Sequence, residues 1–344
     1  MNFPSGRLWQ AFLAFALDML PADTRSMDKD WNLTSWRESG EAIVLAPPRP
    51  YALFLQASPY SFASALLNEV QSLLDHAAEH RALVQVNVAA NNDCSPSWLF
   101  VTTYYWSLFG ALAFIRLLGK AAWYLDKQAL KTLVAGTGLK APTSGTYVLH
   151  VGAIQGSARR DFYLKQSDER FHEATWKLVT ELIRPHLDAV TASTTSTSAA
   201  QMSEIAIFRC LADDPFRAPN WPSSLRNSVN YKPGFTYRSV HGVDLIEIYT
   251  FFRKLNVEDW DSLSEKYSAL ARDVMPGSEP QTYLATAAKM LSLKALIFEE
   301  LTTSLLNEVI AERRLDRRWA STRERYLRSR TSSDAKSVWP FLAA

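Results

Sequence analysis

The stretch Cys94-Ser-Pro-Ser-Trp-Leu-Phe-Val-Thr-Thr-Tyr-Tyr-Trp-Ser-Leu-Phe-Gly-Ala-Leu-Ala-Phe-Ile115 runs for 22 residues without a charge, between Asp93 and Arg116. That length is enough to cross a bilayer as a helix. Its centre, however, is Thr102-Thr-Tyr-Tyr-Trp-Ser107, and Trp and Tyr prefer membrane interfaces to the bilayer middle. A helix that is apolar almost all round is equally the centre of a soluble bundle, and the aromatic, hydroxyl-rich middle favours that reading. Ser95 and Pro96 fit the N-cap and first helical positions, and Gly119 fits the C′ position. Trp98, Val101, Tyr105, Leu108, Leu112 and Ile115 share one face, while Thr103, Ser107 and Gly110 form a small-residue face open to close approach by another helix. If Tyr104 and Tyr105 are buried in such a helix, their hydroxyls need partners.

Outward from this helix the chain reads as mainly α. Helical spacing of apolar residues predicts helices near 1–20, 60–80, 120–134, 169–187, 202–212, 223–231, 242–255, 258–273 and 279–330. The run Glu41–Ala46 fits a short strand, broken by Pro47, Pro48 and Pro50. Thr146–Val151 and Arg160–Lys165 flank a glycine-containing turn, which predicts a β-hairpin near 146–165. The polar stretch 191–200, TASTTSTSAA, fits a linker or a surface loop. The expected architecture is a helical bundle with a small β-hairpin insertion. It divides into an N-terminal helical region at 1–93, a core at 94–256, and C-terminal helices with a basic end at 257–344.

Composition narrows the function classes. With 47% hydrophobic and 21% charged residues the chain is ordinary for a soluble protein. Its 37 basic and 35 acidic residues leave a net charge of only +2, so any basic function is local. Cys94 and Cys210 cannot build a disulfide framework or a zinc site by themselves, and a reducing, cytoplasmic compartment fits. Leu8, Phe12, Phe15 and Met19 form a helical stripe at the N-terminus, which favours a core helix over a signal peptide. There is no P-loop, dinucleotide-binding glycine motif or GxSxG elbow. His76-Ala-Ala-Glu-His80 matches the inverted zinc-peptidase pattern, with Glu169 or Glu173 as a third ligand. It reads more simply as the solvated last turn of a helix.

The segment Ser224-Leu-Arg-Asn-Ser-Val-Asn-Tyr231, followed by Lys232, puts Leu225 and Val229 on one side of a helix and Arg226 and Asn230 on the other. An arginine beside amides can clamp a phosphate through two N–H groups; the bland alternative is a structural ion pair. Together with Tyr104-Tyr105…Phe109 and Arg116-Leu-Leu-Gly119, this LRNxxNY segment resembles the HEPN superfamily of bacterial toxin–antitoxin, CRISPR-associated and antiphage proteins. The resemblance covers about 94–134 and 202–256. It implies a helical bundle in which an arginine and a histidine five or six positions later cut RNA without a metal or other cofactor, usually across a homodimer interface. Arg226 matches the motif arginine and Asn227 the polar residue after it, but the histidine position holds Tyr231, and the next histidine downstream is His241. A tyrosine titrating near pH 10 is a poor base at neutral pH. The resemblance therefore implies either a ribonuclease centred on Arg226, Asn230 and Tyr231 or a degenerate RNA-binding module.

The rival is a non-enzymatic subunit that docks a partner protein or nucleic acid through its C-terminal end. Residues 312–330 hold eight arginines and three acids. Arg313, Arg317, Arg318 and Arg325, with the others, surround an apolar face of Leu315, Trp319 and Tyr326. Such a helix suits phosphate or carboxylate recognition, or is a solvated surface helix. Asn227 and Lys232 complete the expected binding residues, and no membrane is expected as a partner.

Overall fold

The computed structural model describes residues 6–21, 24, 31–44, 52–89, 95–135, 137–138, 140–155, 159–193, 198–232, 245–255, 260–275, 283–313 and 315. The described helices are α1 (Arg7–Met19), α2 (Leu33–Glu38), α3 (Pro59–Ala89), α4 (Pro96–Leu117), α5 (Lys127–Leu133), α6 (Phe171–Ser193), α7 (Ala199–Ala212), α8 (Trp221–Tyr231), α9 (Leu245–Arg253), α10 (Trp260–Arg272) and α11 (Leu284–Arg313). The strands are β1 (Ile43–Val44), β2 (Ala52–Ala57), β3 (Lys120–Leu125), β4 (Gly145–Gln155) and β5 (Arg159–Ser167).

Helix α4 is the axis of the molecule. From Leu99 to Leu117 nearly all of its residues are buried, including Thr103, Ser107 and Gly110. It is long and apolar enough to cross a membrane, but here protein covers it. Its principal neighbours are α3 and α11, with α6, α8 and β3 completing the cover. The small-residue face does what its composition predicts. A Cβ at Gly110 would lie 3.0 Å from Cβ of Phe298 on α11, so the missing side chain sets how closely the two helices approach. Helix α11 is itself buried from Leu284 to Leu306 over most of its surface.

The sheet is larger than the expected hairpin. Strands β4 and β5 form that hairpin, and three more strands extend it into an antiparallel sheet of order β1-β2-β5-β4-β3. Leu53, Leu164, Leu149 and Ala121 are aligned across four strands and buried. Trp36 of α2 packs on Phe62 of α3 and Phe162 of β5, with ring centroids 5.1 and 5.3 Å away. Strand β3 overturns the expected helix at 120–134. Gly119, at φ +72°, ends α4 and redirects the chain. Residues Lys120–Leu125 then pair with Gly145–His150, and only the seven residues of α5 are helical. Asp126 starts α5 by accepting from the Ala129 amide at 2.7 Å.

Two further expectations shift. Helix α3 continues through Leu83–Val86 to Ala89, because Val84 and Val88 join a small core with Leu99 of α4 and Ile248, Tyr249 and Phe252 of α9. His76 and His80 therefore lie inside a long helix. The linker at 191–200 shrinks, since α6 reaches Ser193 and α7 begins at Ala199 behind a Ser198–Gln201 capping box. Helices α6 and α7 pack together, and residues from α1 to α11 share the main core.

Buried charges hold helix ends. Glu204 of α7 accepts from the backbone amides of Gly6, Leu8 and Trp9, at 3.2, 3.3 and 2.6 Å. It thus satisfies the α1 N-terminus, whose N-cap Gly6 has no side chain to do so. Lys294 of α11 donates to the carbonyls of Leu211 and Asp213, both at 3.0 Å, and so closes the C-terminus of α7. Burial pulls its ammonium down to about 8. Cys210 is buried beside it, its thiol pushed up to about 12 by burial, as expected of a packed rather than reactive cysteine.

Two substitutions probe this packing. Gly110→Leu should destabilise the fold by about 1–3 kcal/mol or more through overpacking, and Glu204→Ala by about 0.5–2 kcal/mol through loss of the cap. Urea unfolding of both variants measures these losses.

Candidate functional site

The two tyrosines of α4 find their partners on other helices, and those partners are the groups that can do chemistry. The Tyr105 hydroxyl accepts a hydrogen bond from Nη2 of Arg226, 121 positions downstream on α8. The Tyr104 hydroxyl bonds Nδ1 of His172, at the start of α6, at 2.6 Å. Helix α8 is positioned by Leu225 and Val229, both buried, and by Trp221 at its first turn. This leaves Arg226 half-buried on the face toward α4.

The Arg226 guanidinium has two aromatic neighbours. Its carbon lies 5.4 Å from the Tyr105 ring centroid and 5.5 Å from that of Tyr231, within cation–π range. Nη1 donates to Oδ1 of Asn227 at 3.1 Å. Nε is buried and makes no hydrogen bond among the described residues. No described carboxylate pairs with this arginine, so the structural ion pair is not what holds it. Other partly or wholly buried arginines differ: Arg81 pairs with Glu299, Arg116 with Glu69 and Arg160 with Asp18. Arg226 thus carries a positive charge held by neutral groups, and it retains donors for an anion.

Around Tyr105 lies a ring of imidazoles and aromatics. His80 of α3 stacks on Tyr105 and Phe109, with centroids 5.7 and 5.4 Å apart. His172 meets Tyr105 edge-on at 6.4 Å and lies parallel to Tyr104 at 5.8 Å. His76, exposed, meets Phe109 at a tilt, with centroids 5.2 Å apart, and contacts Glu79 at 3.4 Å. Burial lowers the His172 pKa, the Arg226 charge lowers it further, and Glu173 opposes the shift. Burial also lowers that of His80, while Glu79 raises and His76 lowers it. Burial raises the Tyr104 phenol well above its usual range. The cluster therefore holds one fixed cation, two neutral imidazoles and a protonated phenol near neutral pH.

The sequence-expected residues divide by position. Arg226 and Asn227 are joined in this cluster. Tyr231 covers the guanidinium with a ring 69% exposed. Asn230 and Lys232 are exposed on the outer side of α8 and its end. Arg313 donates to the Leu17 carbonyl at 2.7 Å, which ties the end of α11 to α1. Arg317, Arg318 and Arg325, with His241, lie outside the described residues. His80 is not on a solvated last turn but half-buried against α4. The described residues hold no group of three His, Cys, Asp or Glu placed to bind a metal ion. Sequence reasoning missed His172 and, although it singled out His80 in a zinc-like pattern, did not join His80 to Arg226, because they are 54 and 146 positions from that arginine. The one signal was the tyrosine pair, whose hydroxyls required polar partners.

The lowered histidines make stability pH-dependent. His150 of β4 joins them, pulled down to about 4 by burial with Lys120 and Lys165 nearby. Unfolded histidines titrate near 6.5, so below that pH the unfolded chain binds protons the folded chain refuses. Stability should fall steadily from about pH 7 to about pH 5, seen as a declining urea midpoint.

No family model matches the chain, and no curated protein or solved structure matches it either.

Proposed function

We propose that this is a HEPN-like RNA-binding protein whose centre, at Arg226, holds a phosphodiester of the RNA and acts on it without a metal. The observation that carries this reading is the Arg226–Tyr105 contact. It joins the two sequence segments on which the resemblance rests, and it leaves a cation without a counter-charge among the described residues. An uncompensated, half-buried guanidinium is a site for a phosphate oxygen. The exposed ring of Tyr231 beside it suits the stacking by which single-stranded bases are gripped. The bacterial defence or toxin setting comes with the resemblance alone. The rival, a subunit docking through its arginine-rich end, rests on residues outside the described ones.

Arg226→Ala should weaken binding of a single-stranded oligoribonucleotide roughly ten- to hundredfold, the loss of a charge-assisted pair. Arg226→Lys should not restore it, because an ammonium lacks the fork. Wild-type affinity should also fall steeply with salt. Fluorescence anisotropy across a salt series measures all three. Unchanged affinity in Arg226→Ala would sink the reading, and salt-insensitive binding would favour apolar docking instead.

A further inference from the structure

The sequence leaves Tyr231 where a proton-transfer group is needed, and an exposed phenol is poor at that task. The fold brings two imidazoles to the Tyr105 ring on which Arg226 sits, one from α6 and one from α3. His172 is held by a third group, the Tyr104 hydroxyl, at 2.6 Å. That is the arrangement in which a base is oriented by a neighbour. With Nδ1–H donated to the Tyr104 oxygen, Nε2 is left with its lone pair. His80 stacks on both Tyr105 and Phe109, and its buried Nδ1 makes no hydrogen bond among the described residues. A satisfied core histidine would not leave that nitrogen unpaired.

We propose that His172 takes the 2′-hydroxyl proton of a bound RNA and that His80 protonates the departing 5′-oxygen. Two histidines from separate helices then do the acid–base work that position 231 lacks. This rests on the RNA reading above and names the residues that would make it catalytic. The 2′-hydroxyl proton passes to Nε2 of His172 as the 2′-oxygen forms a bond to phosphorus. The bond from phosphorus to the 5′-oxygen breaks, and that oxygen keeps the electron pair and receives a proton from the His80 imidazolium. The products are a 2′,3′-cyclic phosphate and a 5′-hydroxyl, and no co-reactant is consumed. Arg226 offsets the charge that grows on the non-bridging oxygens.

In the free protein the surroundings keep both imidazoles neutral. His172 faces Arg226 on α8, Tyr104 and Tyr105 on α4, and Glu173 on its own helix; burial first and the arginine second lower its pKa, as suits a base. His80 faces Tyr105 and Phe109 on α4 and, on its own helix, Glu79 and His76; burial lowers its pKa, Glu79 opposes that shift and His76 adds to it, so its acid form arises on binding of the phosphate. A phosphate bound at Arg226 shifts both toward protonation.

The test uses the full chain, a single-stranded oligoribonucleotide, a chelator, and a second substrate whose 5′-oxygen at one linkage is replaced by sulfur. Sulfur leaves without an acid. His172→Ala and His80→Ala should each lower cleavage of the ordinary RNA by about 10²–10⁴-fold, with RNA affinity changed only a few-fold. The sulfur substrate should restore His80→Ala and not His172→Ala. His172→Gln, which keeps a polar contact to Tyr104, should remain inactive while unfolding like wild type. The acid limb of the wild-type pH profile should lie below about 6.5 and vanish in the His172 variants. Arg226-dependent RNA binding without cleavage, cleavage indifferent to His172→Ala, or no sulfur rescue of His80→Ala overturns the assignment and leaves the RNA-binding reading standing. RNA affinity indifferent to Arg226→Ala removes both.

Discussion

The enclosure of α4 is the constraint on which the rest of the molecule depends. A helix whose sequence carries no charge before Arg116 must be covered over most of its surface. Long helices α3 and α11 supply most of that cover, and the absence of a side chain at Gly110 lets α11 come close. Burial on this scale drives folding through apolar area, but it also imposes a cost. A polar atom carried inward is costly unless paired, and most on α4 are. Thr103 solves this within the helix, donating to the Leu99 carbonyl at 2.8 Å. Trp106 donates to Glu299, which also takes Arg81. Tyr104 and Tyr105 reach outside the helix, to His172 and Arg226, so the cluster follows from the packing of α4.

The electrostatics of that cluster differ from those of the other buried charges. Glu204 and Lys294 are satisfied by helix ends, and Arg160 by Asp18 and its carbonyl. Each is closed within the fold, and removing one partner leaves a charge stranded. Arg226 is held by a phenol, an amide and two aromatic faces. Those contacts fix its direction without cancelling its charge. Two described clefts lie elsewhere, one beside α9 and one between α6 and the sheet. The second sets Lys165 and Lys177 among Asp168, Glu169 and Glu181, whereas Arg226 has no described carboxylate beside it.

Much of the helical architecture was legible, because it follows from short-range rules. The Ser95-Pro96 start, the Gly119 end and the small-residue face of α4 are all local signals, and each is present. The hairpin of β4 and β5 was legible for the same reason. Strand β3 was not, since Lys120–Leu125 has no polar–apolar alternation. Its Ala121, Ala122 and Trp123 are consecutive and buried, and only pairing with β4 makes the segment a strand. The course of α3 past Arg81 was likewise decided by α9, a partner far along the chain. Arg226 and Asn227 could be picked out from sequence, but His172 could not, and His80 stood out only in a zinc-like pattern unrelated to them. A motif search looks a few positions along one helix, whereas His80 and His172 reach Tyr105 from helices that only the fold brings alongside.

That difference changes what the tyrosine at position 231 means. A missing histidine in a local motif argues for lost activity only if no other imidazole can occupy the same space. In this fold two imidazoles, carried by α3 and α6, lie against Tyr105, the ring that the Arg226 guanidinium also covers. The same burial that places them lowers their pKa values, and so makes the folded chain sensitive to acid. The histidines are neutral because they pack against a helix that must be covered, and a chain free of that constraint would have no reason to put imidazoles beside an arginine.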